Sequence, residues 1–146
     1  MTEFRRLSDR VFAAPQLEAA DFPRAAADGF TLVINNRTEG ESPAQMSGDE
    51  ARALAEAAGL AYAEVPVRMA TLSHADIDAM AEALRAAPGK VLTYCLSGSR
   101  SAALWALAEA KAGADSDTLL AAAANAGFDL EGLRSALENL SAAAKR

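Results

Sequence analysis

"VLTYCLSGSRSAALWALA", residues 91–108, is the stretch whose reading decides the fold. Val91, Leu92, Thr93 and Tyr94 are β-branched, leucine or aromatic, as in a buried strand, while "SRSAALWALAEAKAG" from Ser99 carries a helical pattern. Cys95, the only cysteine, therefore stands where a strand ends and a helix begins. In open α/β sheets that carboxyl edge is where ligands bind. The chain must reverse sharply between Leu96 and Arg100, and Gly98 supplies the unusual dihedrals such an arc requires. Amides of Leu96, Ser97, Gly98, Ser99 and Ser101 then face an anion at the helix N-terminus, and the same field stabilises a thiolate. Arg100 adds a planar fork of donors. Cys95 and Arg100 are thus the candidate catalytic pair, and the surrounding residues are the candidate anion cradle. The competing reading is an inert buried thiol closing a strand.

Working outward, "VFAA" (11–14), "TLVIN" (31–35) and "AYAEV" (61–65) read as further strands beside "VLTYC" (91–95), and a short one is expected around Phe4–Leu7. The stretches between them are punctuated as helices. "SGDE" (47–50) is a capping box and "SHAD" (73–76) its weaker Asp form. Gly29, Gly59 and Gly127 each close a helical pattern just before an apolar residue, and Pro88 with Gly89 closes another. Strand and helix in alternation predict a three-layer α/β fold: a parallel-rich central sheet of four to five strands with helices on both faces. Beyond Arg100 only helices are expected, at roughly 100–112, 116–126 and 130–143. Residues 1–146 read as one domain, with a core over about 4–113 and a helical C-terminal part over about 115–143.

Composition restricts the partners. A formal charge of −6 and a pI near 4.8 are opposite to the basic stripe of a phosphate-backbone binder, so no nucleic acid is expected. No stretch has the ~20 apolar residues of a membrane span, and "MTEFRRLSDR" is no secretory signal, so a cytoplasmic location is expected. A single Cys and a single His lack the ligand set of a structural zinc site, and neither a metal nor an organic cofactor is expected. His74 reads as a surface residue next to a cap. Trp105, spaced with Leu104, Leu107 and Ala108, reads as core. Aromatics are only 5% and alanine is abundant, so the helices should pack closely through small side chains.

"NNRTEGE" (35–41) follows the strand "TLVI", which places Asn36, Arg37, Glu39 and Glu41 at the edge carrying Cys95 if the strands are parallel. Arg37, with Asn36, is expected to contact the substrate anion. The loop "RMATLS" (68–73) contains Arg68 but no Asp or Glu. Asp76 and Asp78 lie in the helix that follows, Asp76 as a cap.

"CLSGSR" followed by Ser101 resembles the C-x-x-G-x-R-S loop of rhodanese-type sulfurtransferases. Together with "VFAAPQL", "VINNRTEGESPAQ", "YAEVPV" and "AAAANAGFDL", it makes the chain similar, over about residues 4–140, to the bacterial beta-lactamase-hydrolase-like, phosphatase-like domain family. That family is described both as sulfurtransferase and as phosphatase-like, and it occurs alone or fused to persulfide dioxygenase modules. The resemblance implies a cysteine-phosphatase-like fold. Cysteine phosphatases carry C-x5-R, whereas only four residues separate Cys95 from Arg100. A tighter ring, and the missing acid after the "VPV" strand, lead to the main expectation: a rhodanese-like sulfurtransferase moving sulfane sulfur from thiosulfate or a persulfide, through a Cys95 persulfide, to a thiol or cyanide. Its partners would be a small-molecule sulfur donor, a thiol acceptor, and persulfide dioxygenase or another sulfide-oxidation enzyme. The alternatives are a cysteine-dependent phosphatase with a phosphocysteine intermediate, and a non-catalytic persulfide carrier or docking module.

Overall fold

The computed structural model describes residues 1–146. Its strands are β1 (Arg5–Arg6), β2 (Val11–Ala14), β3 (Phe30–Asn35), β4 (Ala61–Glu64) and β5 (Lys90–Tyr94), and its helices are α1 (Asp21–Ala27), α2 (Gly48–Ala57), α3 (His74–Ala86), α4 (Ser99–Lys111), α5 (Ser116–Asn125) and α6 (Arg134–Ala144). They form a five-stranded sheet in the order β1-β2-β5-β3-β4. β2, β5, β3 and β4 run parallel, and the short β1 pairs antiparallel with β2 at the edge. The fold class expected from the sequence is what is found.

Alternation along the strands divides the molecule into two cores. Leu92 and Tyr94 of β5, with Phe30 and Val33 of β3, meet Phe22 and Ala25 of α1 and Ala51 and Ala55 of α2. Val91 of β5, with Leu32 and Ile34 of β3, faces the other way onto α3 and α4, behind which α5 and α6 pack. Successive strand residues point to opposite faces, so one five-residue strand serves both layers. α4 is buried almost all round, with Ala102, Ala103, Ala106, Ala108 and Ala110 letting sheet and helices approach closely. Trp105 is 4% exposed in that core.

The expected glycine stops at Gly29, Gly59 and Gly127 have φ of 90°, 83° and 93°, and the amides of Leu60 and Phe128 reach back to Ala55 and Ala123. α3 stops before Pro88 with Ala87 extended, the conformation proline imposes on its predecessor. Two local expectations are corrected. The full capping box lies at Ser73, where Asp76 returns the bond at 3.0 Å, whereas Ser47 caps the amide of Glu50 at 3.1 Å without a return bond. At the start of α2 the amide of Gly48 is instead taken by Glu39, which comes from a neighbouring loop. The last predicted helix is divided: a 3-10 turn spans Glu131–Leu133, and α6 begins at Arg134.

Candidate active site

β5 lies between β2 and β3, so the loops leaving the carboxyl ends of all three strands surround Cys95. The β2 loop is tied in by the Gln16 amide, which donates to the Leu96 carbonyl at 3.1 Å. Gly98 takes φ 94° and turns the chain into α4. Its amide donates to Cys95 Sγ at 3.1 Å, so the sulfur, although only 1% exposed, is held within the arc. A Cβ on Gly98 would sit 3.0 Å from the Phe128 ring, which leaves little room behind the loop. The amides of Leu96, Ser97, Arg100 and Ser101 donate to no group of the protein, and that of Ser99 reaches only the Ser97 hydroxyl at 3.4 Å. An arc of free donors at a helix N-terminus is an anion site.

Arg100 is fixed by two partners. Nη1 donates to Glu41 Oε2 at 2.6 Å and to the Val67 carbonyl at 3.0 Å, and Nη2 donates to Glu41 Oε1 at 2.8 Å. The end-on face of the guanidinium is therefore filled. The side-on face, Nε with the second Nη2 hydrogen, is left for a ligand. The Arg100 pKa is raised, chiefly by the Glu41 hydrogen bond and in lesser part by the neighbouring Cys95.

Glu41 stands on the edge where its position in the sequence puts it. It is the residue that orients Arg100. Its Oε1 also accepts from Arg37 Nε at 2.9 Å, and the Thr38 amide donates to Oε2 at 2.8 Å. The Arg100 bond first, and then Arg37 and Thr38, hold its carboxyl well below the usual carboxylate range against the opposing effect of burial. No signal local to residues 36–41 could have paired it with an arginine 59 positions away.

Asn36 and Arg37, expected to contact the substrate anion, are both held by partners inside the protein. Arg37 is 5% exposed and donates to Glu41, to Gln16 Oε1 at 2.7 Å and to Ser42 Oγ at 3.2 Å, so it braces the β3 loop against the β2 loop. Asn36 is fully buried: Oδ1 accepts from Thr93 and Ser101, each at 2.6 Å, and Nδ2 donates to the Val65 carbonyl at 3.0 Å. Only the amide of Ser101 is thus free for an anion, because its hydroxyl is committed to Asn36. Burial of these groups follows from the sheet order, which closes three loops over them. His74 is exposed, 3.4 Å from Lys111 Nζ, as expected of a surface residue. Arg68 is exposed and forms no ion pair.

A parallel-rich sheet with helices on both faces, and a cysteine and arginine bracketing a strand-to-helix arc, define a cysteine-phosphatase-like domain. The family model described as "Beta-lactamase hydrolase-like protein, phosphatase-like domain" matches residues 3–113. The chain belongs to that family. The beta-lactamase hydrolase-like protein of Agrobacterium fabrum is 38% identical over 105 residues, which are 72% of this chain and 24% of that protein. The chain thus spans about a quarter of the length of the curated relatives it matches. Among solved structures, a Neisseria meningitidis protein described as a candidate phosphatase superposes with TM-score 0.84 and 28% identity, over 94% of this chain and 97% of that one. P. aeruginosa TpbA in complex with phosphotyrosine shares the fold with TM-score 0.69 at 17% identity, over 97% and 89%.

These findings overturn the main functional expectation. The matching family model is described as phosphatase-like and the Neisseria relative as a candidate phosphatase, and neither description points to sulfur transfer. The number of residues between Cys95 and Arg100 does not by itself limit the loop to a single sulfur, because the donors it presents depend on which amides stay unpartnered. Several free amides and a side-on guanidinium face are enough donors for an anion with more than one oxygen.

Proposed function

We propose that this chain is a cysteine-dependent phosphatase that hydrolyses phosphate monoesters through a phosphocysteine on Cys95. The observation that carries the reading is the pairing of a sulfur held by the Gly98 amide with an arginine whose end-on face is locked by Glu41 and whose side-on face is open. In the first step Sγ forms a bond to phosphorus, and the bond from phosphorus to the ester oxygen breaks. The three equatorial oxygens lie against the amides of the arc and the Arg100 side-on face, donors already in place where charge develops. In the second step water attacks phosphorus and the pair in the S–P bond returns to sulfur.

Turnover of para-nitrophenyl phosphate by the full chain tests the reading. Phosphate release that disappears in Cys95→Ser, together with a gain of one phosphoryl group on Cys95 after rapid acid quench, is the expected result. Absence of phosphate release in the wild type, or equal rates in the two proteins, would refute it.

A further inference from the structure

A cysteine phosphatase must expel an oxygen, and an alkoxide leaves only if an acid delivers a proton to it in the transition state. All but one of the carboxyl groups on the loops around this site are engaged by other partners. The loop from Arg68 to Ser73 above Arg100 contains none. Glu41 is clamped between two guanidinium groups, a setting that keeps it charged. Glu39 accepts the Gly48 amide, Glu64 accepts the Tyr62 hydroxyl, and Asp76 is part of a capping box. Asp78 is paired with Lys111 at 2.7 Å, Asp21 takes the Glu18 amide, and Asp129 takes the amide of Glu131. The phenols are no substitute: burial raises that of Tyr62 to about 12 and raises that of Tyr94 further. The Glu18 carboxylate, exposed on the loop after β2, accepts no hydrogen bond and is bonded to neither Cys95 nor Arg100, whose partners are the Gly98 amide, Glu41 and Val67.

We propose that the site is built for phosphoryl compounds whose leaving oxygen departs as a stable anion without a proton, namely acyl phosphates and phosphates of acidic phenols, and discriminates against alkyl monoesters. This rests on the phosphatase reading above and adds the substrate class. The S–P bond forms as the P–O bond breaks, and the electron pair stays on the departing carboxylate or phenolate, which takes a proton from solvent only if its basicity requires one. Water then opens the S–P bond, giving inorganic phosphate and the free thiolate, with the proton from water passing to solvent. No oxidant or metal enters the balance.

The test measures kcat/KM of the full chain for aryl phosphates of graded phenol acidity, for acetyl phosphate and for glycerol phosphate, each rate corrected by that of Cys95→Ser. The expected result is a loss on the order of tenfold for each unit rise in leaving-group pKa, with acetyl phosphate turned over and glycerol phosphate at background. A flat series, or glycerol phosphate turned over at a rate near that of acetyl phosphate, overturns the proposal while leaving the phosphatase reading intact. Glu18→Gln should leave the slope unchanged, and a steeper slope in that variant would identify Glu18 as an acid and overturn the proposal. Should no compound, acetyl phosphate included, release phosphate above the Cys95→Ser background, the phosphatase reading falls and takes this proposal with it.

Discussion

Arg100 illustrates how a single side chain acquires a function from its neighbours. Unrestrained, a guanidinium offers donors on two open faces, and an anion can take either. Glu41 occupies the end-on face with both carboxylate oxygens and Val67 takes the remaining Nη1 hydrogen, so only one face is left. The pair is a testable electrostatic unit. Glu41 has a depressed pKa in the folded chain, so its ionised form contributes stability that is fully present above the unfolded carboxylate value, about 4.3, and is lost as pH falls toward the lower folded value. Glu41→Gln is therefore expected to lower Tm at pH 7, and the gap from wild type should narrow as pH drops below about 4, as followed by thermal melts across pH. A gap that widens in acid would mean that the carboxylate is not what holds the loop.

At the scale of elements, the site depends on the junction of β3, β5 and α4, and Asn36 occupies that junction. Its amide N–H bonds the carbonyl of Tyr94 at 2.8 Å, its carbonyl accepts from Val67, and its side chain receives Thr93 and Ser101. Asn36→Ala would leave two fully buried hydroxyls without an acceptor. A buried polar group that loses its partner costs about 1–3 kcal/mol, so urea unfolding should show a loss of at least that size. Because the same junction orients the loop, kcat for nitrophenyl phosphate should fall even where the variant is fully folded. Unchanged stability and rate would remove Asn36 from the frame of the site.

For the molecule as a whole, α4 carries the Cys95 loop at its N-terminus and is held between the sheet and α3, α5 and α6. Leu137 of α6 is fully buried in this core, and Leu137→Ala should cost about 2–5 kcal/mol in denaturant unfolding. The folded variant should keep its kcat, since Leu137 lies in the core behind α4 and supplies no donor to the Cys95 loop. No helix is long and apolar enough to cross a membrane.

How much of this was legible beforehand follows from the range of the signals involved. Strand and helix periodicity, the glycine stops and the Cys95–Arg100 arc are written in residues a few positions apart, where steric limits and capping act directly, and those local patterns determined the α/β class and the position of the sulfur. What Asn36, Arg37, Glu41 and Val67 do depends on which strands become neighbours. The insertion of β5 between β2 and β3 is a property of the whole packed sheet, and it gave Asn36 and Arg37 their bracing partners and made an unassigned glutamate the partner of Arg100. The number of donors the loop can present to an anion was likewise decided by which amides the tertiary structure leaves without a partner, which the count of residues between Cys95 and Arg100 does not contain.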